Sequence, residues 1–211
     1  MSSSPHVSPK GPSRTEFILL ISSIMMIVAF SIDSMLPALP SIGHSLGVGD
    51  ETKRPLVISA FLFGFSVGQL FVGTLSDRYG RRGLMLWALF GFASFGAALA
   101  PSFEHLLIAR AVQGVFAAGA RVIVTSTVRD RFAGRDMAQV MSLAGMIFMA
   151  APILAPTMGQ TILMLGPWRW IFGALCMIGL ATWVWVLFRL PETLAEENRT
   201  PIGRKAVLAA A

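Results

Sequence analysis

The chain has 211 residues, 55% of them hydrophobic and 13% charged, about half the charged share of a soluble domain. That balance argues against both a water-soluble globule and a disordered chain, and a single cysteine removes disulfide scaffolds and thiolate metal sites. The mean hydropathy of +0.69 is that of a bundle of bilayer-spanning helices.

Residues 1–16 are rich in Ser and Pro and read as a disordered lead-in. A signal peptide is the competing reading of the chain's start, but the apolar run from Phe17 continues well past a signal core. Crossing a bilayer takes roughly 20 apolar residues. On that measure spans are expected at Phe17 to Pro40, Pro55 to Ser76, Gly83 to Phe103, Leu106 to Val128, Met137 to Trp168 and Trp170 to Phe188. Residues 191–211 read as a cytoplasmic tail that resembles the start of a long link to a second half.

Six spans divide the cations unevenly. The amino end, the loops after spans two and four, and the tail hold twelve of the 17 Lys and Arg, and the opposite side holds Lys53, Arg54 and Arg169. The positive-inside rule therefore predicts both termini in the cytoplasm. The net charge of +6 follows from that topology and calls for no nucleic-acid partner. Trp168, Trp170, Trp183 and Trp185 fall near the expected interfaces, as an aromatic belt would.

Asp33, Arg110 and Arg121 are the charges inside the spans. Each costs about 2.5 to 3.5 kcal/mol at a span centre, so they are expected to face a bundle interior or a watery cavity. At 100° per residue Arg110, Gln113, Gly114, Ala117 and Arg121 share one stripe of span four. Asp33 and Arg110 lie at similar depth, so an ion pair across a central cavity is feasible. The bland alternative has Arg110 snorkelling outward and Asp33 capping a helix break near Pro37. A membrane carboxyl whose proton affinity answers to a nearby guanidinium is what proton coupling requires.

Other patterns carry less. Gly64-Phe65-Ser66-Val67-Gly68 spells a nucleophile-elbow pattern, but it lies mid-span, and His6, His44 and His105 stand outside the spans. Gly64 and Gly68 read instead as a small-residue packing face. No enzyme chemistry, metal site or cofactor is expected, and Cys176 reads as a packing residue. In span five, Pro152 and Pro156 remove two backbone donors one turn apart, and with Gly159 they predict a bend, either a static kink or a rocking hinge.

Between spans two and three runs Gly73-Thr74-Leu75-Ser76-Asp77-Arg78-Tyr79-Gly80-Arg81-Arg82, where Gly80 can supply the positive φ of a tight turn. This pattern, G-x-L-S-D-R-x-G-R-R, resembles the signature loop of the major facilitator superfamily. Arg110-Ala111-Val112-Gln113-Gly114 resembles the R-x-x-Q-G element of proton-coupled members. Asp33 followed by Met35-Leu36-Pro37-Ala38-Leu39-Pro40 resembles the first-span motif of drug:proton antiporters. Val128-Arg129-Asp130, Ala151 to Pro156, and Leu190-Pro191-Glu192-Thr193-Leu194 are similar to the bicyclomycin and chloramphenicol resistance (Bcr/CflA) branch. Two positions depart from the pattern: Gly159-Gln160 stands where paired glycines are usual, and Arg121 where a small residue is usual.

The resemblance implies an all-α membrane protein, six transmembrane helices forming one half of a major-facilitator fold, as a multi-pass protein of the inner (plasma) membrane. It implies the amino-terminal half of a proton-coupled efflux transporter of small amphiphilic molecules, working by alternating access. Asp33 and Arg110 would couple protons, and Asp77, Arg78 and Arg81 would stabilise one gate state. A second six-helix half, a separate chain or a second copy, is the expected partner beside the lipid bilayer. The alternative is a truncated or non-transporting subunit that keeps the fold.

Overall fold

The structure is a computed structural model that describes residues 11–92 and 97–194. Its described elements are helical: α1 (Arg14–Asp33), α2 (Leu39–Ser45), α3 (Leu56–Tyr79), α4 (Arg81–Phe92), α5 (Phe103–Arg131), α6 (Gly134–Phe148), α7 (Ala151–Leu165) and α8 (Arg169–Arg189). Five stretches, Arg14–Ser45, Glu51–Tyr79, Phe103–Arg131, Gly134–Leu165 and Arg169–Arg189, are long and apolar enough to cross a membrane. Helix α4, described over Arg81–Phe92, overlaps the expected third span, whose residues 93–96 lie outside the description.

Local chemistry explains where the helices start and stop. The hydroxyl of Ser13 caps α1 by accepting from the Glu16 N–H at 3.2 Å, and Ser102 caps α5 in the same way. Helix α1 therefore begins at Arg14, inside the expected lead-in, whose residues 1–10 lie outside the description. The tail is described only to residue 194, so Glu196, Glu197, Arg199, Arg204 and Lys205 lie beyond it.

Two spans expected as single helices are broken. The first ends as α1 at Asp33, passes through a 3-10 turn at Leu36–Ala38 and resumes as α2. Pro37 has no N–H for the ladder and disfavours helical geometry at Leu36. The Met35 N–H consequently bonds the Ile32 carbonyl at 3.2 Å, three residues back. The fifth span divides into α6 and α7 at Met149–Ala150, just before Pro152, while Pro156 lies inside α7. The interruption thus precedes both prolines of the expected bend.

Glycines bring the spans together. A Cβ on Gly64 would overlap the Ala111 carbonyl oxygen, one on Gly68 would lie 2.7 Å from the Val115 carbonyl oxygen, and one on Gly114 would overlap the Phe61 carbonyl oxygen. Side-chain-free crossings of this kind bring α3 and α5 into backbone contact. Gly159 in α7 plays the same part at the break of the first span, where a Cβ would overlap the Ser34 carbonyl oxygen.

Two apolar clusters fill the interior. One gathers Phe17, Ile24, Phe61, Leu89, Ile123 and Val186 from α1, α3, α4, α5 and α8. The other, at the opposite end, gathers Met35, Ile42, Val57, Leu106, Trp168 and Phe172. Trp168 is sealed there by donating its indole N–H to Ser45 Oγ at 2.6 Å.

Candidate functional site

The break in the first span creates the acceptor that span four uses. Because Met35 bonds Ile32, the Ser31 carbonyl is released from the helical ladder, and Arg110 Nη2 donates to it at 2.8 Å. Arg110 Nη1 donates to Gln113 Oε1 at 2.7 Å, and its Nε donates to the Val57 carbonyl at 3.3 Å. The guanidinium lies 4.5 Å from the Phe61 ring centre and 5.7 Å from that of Phe172, one ring from each apolar cluster. Gln113 in turn donates to the Phe92 carbonyl at 3.4 Å. Arg110 is wholly buried. Hydrogen bonds to a charged group contribute about 1.5 to 3 kcal/mol each, which is what holds this cation in an apolar interior.

This geometry corrects two expectations. Among the described residues no ion pair joins Asp33 to Arg110. The two are at matching depth, but Asp33 lies two residues beyond Ser31, about 200° around the helix, and so projects from another face of α1. Its carboxylate is half-buried and has no hydrogen-bond or ionic partner among the described residues. The stripe of span four does not line an open chamber either. Arg110, Gln113, Gly114 and Ala117 are all buried, Gly114 against α3 and Gln113 bonded to α4, and only Arg121, two turns beyond Gly114, is partly open.

A second polar group occupies the opposite end of the bundle. Gly80 ends α3 with φ +92° and its N–H bonded to the Ser76 carbonyl at 3.2 Å. That turn starts α4 at Arg81, whose side chain is buried. Its Nη1 lies 2.6 Å from Asp77 and also donates to Ser76 Oγ, and its Nε donates to Asp130 at 2.9 Å. The carboxylate of Glu192 accepts the Arg81 N–H at 2.9 Å and the Arg82 N–H at 3.2 Å, filling orphan donors of the α4 amino end. Arg82 Nη2 donates to the Leu187 carbonyl at 2.7 Å, and the Thr193 hydroxyl reaches Asp130 at 3.4 Å. Three segments distant in sequence are thereby fastened at one point. Arg78 stays outside, stacked 5.1 Å over Tyr79, and Gly73 serves only through its carbonyl, which accepts from Ser76.

Asp130, Glu192, Ser76 and Thr193 were absent from the expected gate. The available signal was charge balance: two acids, each beside a span end, on the side where the loop arginines gather. Further contacts tie the same end: Arg14 lies 3.6 Å from Asp136, and Arg189 donates to Glu16 at 2.5 Å.

A helical bundle with buried cations, broken apolar spans and a basic end fastened by ion pairs is the build of an integral membrane protein. The family model described as Major Facilitator Superfamily matches residues 20–210, and the chain belongs to that superfamily. It is 36% identical over 198 residues to an uncharacterised MFS-type transporter, YdgK, of Bacillus subtilis, covering 92% of this chain and 49% of the relative. It is 32% identical over 188 residues to a bicyclomycin resistance protein homolog of Haemophilus influenzae, covering 88% and 47% respectively. It is also 32% identical over 184 residues to the multidrug resistance protein MdtL of a Shewanella strain, covering 86% and 46%. The chain spans about half the length of the curated relatives it matches, their amino-terminal half. Among solved structures the fold resembles the human organic anion transporter MFSD10, with a TM-score of 0.76, 21% identity and coverage of 95% of this chain and 54% of that one. It also resembles the xylose transporter XylE of E. coli, with a TM-score of 0.73, 14% identity and coverage of 86% and 51%.

Proposed function

We propose that the chain forms one half of a proton-coupled exporter of small amphiphilic molecules, which cycles by alternating access in the inner membrane with both termini in the cytoplasm. The observation that carries this reading is Asp33, an unpartnered half-buried carboxyl at the end of α1. It stands beside the point where Gly159 brings α7 against the Ser34 carbonyl, so two broken spans meet at one ionisable group. Intramembrane acids are costly and mark proton or substrate paths. The ion-paired end, with Arg81 held by Asp77 and Asp130, supports a latch that closes one gate state and opens when the halves rock.

A second half completes the cavity in this reading. The spans Glu51–Tyr79 and Gly134–Leu165 are the least buried, and they carry exposed amides, Gln69 near the middle of the first and Gln160 five residues before the end of the second. Lipid cannot satisfy an amide, so these faces suit contact with protein or water. The break at Met149–Ala150, followed by Pro152 and Pro156 in the first turns of α7, suits a hinge there.

The test is proton-driven efflux of a fluorescent amphiphile from vesicles containing the chain together with its complementing half. Asp33→Asn is expected to abolish gradient-driven efflux while leaving gradient-free exchange of the probe intact. Unchanged proton-driven efflux in that variant overturns the reading.

A further inference from the structure

Arg121 differs from every other guanidinium within the spans. Arg110, on the same helix, has each of its three nitrogens bonded to an acceptor. The Arg121 guanidinium has no acceptor and no carboxylate among the described residues, and Thr125, which could have served it, turns its hydroxyl back to the Arg121 backbone carbonyl. Its side-chain neighbour is aromatic: the guanidinium lies 5.7 Å from the Phe148 ring centre, at the last residue of α6. The residue is only half-buried, and its nitrogens are not among the sealed, unsatisfied polar atoms, so they reach open space.

Depth makes this costly. Arg121 is ten residues before the end of α5, about 15 Å inside the basic end. Asp33, the sole acid within the spans, lies about 28 Å from that end, too far to serve as its counterion. The chain therefore holds an excess positive charge at mid-depth with a fork of donors turned to open space and a ring beneath it. Such a field repels cations and concentrates anions, and a guanidinium matches a carboxylate or sulfonate through paired hydrogen bonds.

We infer that Arg121 and Phe148 form a substrate subsite for amphiphilic organic anions, the guanidinium taking the carboxylate or sulfonate and the ring taking the adjoining hydrocarbon. The inference rests on the transporter reading above and narrows its substrate class from amphiphiles in general to anionic ones.

The experiment measures binding to the full chain in lipid nanodiscs, with empty nanodiscs subtracted, using 4-phenylbenzoate, its neutral amide and 4-phenylbenzylammonium. The benzoate is expected to bind about tenfold more tightly than the amide, and the ammonium more weakly than either. Arg121→Gln should erase the preference for benzoate while leaving amide affinity unchanged, which also shows that the variant is folded. Arg121→Lys should keep part of it. Equal binding of the three probes by the unaltered chain, or a preference that survives Arg121→Gln, overturns the inference and assigns the guanidinium to an acid of a second half. Failure of the Asp33→Asn efflux test would sink proton coupling without moving these affinities, so the two failures are distinguishable.

Discussion

Arg110 donates to the backbone carbonyl of Ser31 at 2.8 Å, and that carbonyl is available because Met35, four residues later, turns its N–H to Ile32 instead. An interruption in one span thus supplies the acceptor that makes a cation tolerable in another. The same interruption leaves Asp33 at the end of α1 without a partner, so one local event places both charges.

Replacing Arg110 should therefore damage stability before it damages chemistry. Arg110→Gln leaves the Ser31 carbonyl without its donor, with a cost of about 2 to 5 kcal/mol. Arg110→Lys should also destabilise, because an ammonium on a flexible stem cannot hold Ser31, Val57 and Gln113 as the planar fork does. Thermal unfolding in detergent, followed by labelling of the buried Cys176 with a thiol-reactive dye, should show both variants melting several degrees lower, with Arg110→Gln the lower of the two.

The glycine contacts predict a position-specific response. Gly64→Ala pushes a methyl group into the Ala111 carbonyl, and Gly114→Ala does the same to that of Phe61, so each should cost about 1 to 3 kcal/mol as α3 and α5 move apart. Gly73→Ala, with nothing within 4 Å of the added carbon, should leave the melting temperature unchanged or slightly raised. The same dye assay distinguishes them.

Much of the fold was legible because apolar length is a strong signal: each expected span contains or overlaps a described helix. The breaks were less legible. Pro37 and Pro152 announced an interruption, but where the ladder fails depends on more than the proline, and at the first break the donor that takes up the released Ser31 carbonyl is Arg110 of α5, distant in sequence. The pairing of Asp33 with Arg110 failed for a related reason. Depth along a helix can be counted from sequence, whereas the rotation that turns Asp33 of α1 away from Arg110 of α5 is set by packing across the bundle, which no count along either helix supplies. At the basic end the loop arginines were visible, but Asp130 and Glu192 could not be assigned as their partners until three loops were known to converge.

That convergence predicts coupling between residues far apart in sequence. Arg81→Ala and Asp130→Asn should each weaken the latch. The double variant should be less destabilised than the sum of the two, with a coupling of about 0.5 to 3 kcal/mol because the Arg81 side chain is buried. Adding Glu192→Gln should couple more weakly, since Glu192 binds the Arg81 and Arg82 backbone rather than the guanidinium. Additive effects of Arg81→Ala and Asp130→Asn in the unfolding assay would show that the contact carries no energy.

Gly80 tests whether the latch depends on its turn. At φ +92° and ψ 157° the residue occupies a region essentially reserved for glycine, where a side chain costs about 1 to 3 kcal/mol. Gly80→Ala should relieve that strain by rotating the start of α4, which carries Arg81 away from Asp77 and Asp130 and its N–H away from Glu192. The variant should therefore lose the Arg81 and Asp130 coupling as well as stability. A double-mutant cycle repeated in the Gly80→Ala background should return a coupling near zero. An undiminished coupling would mean that the ion pairs hold the turn, and not the turn the ion pairs.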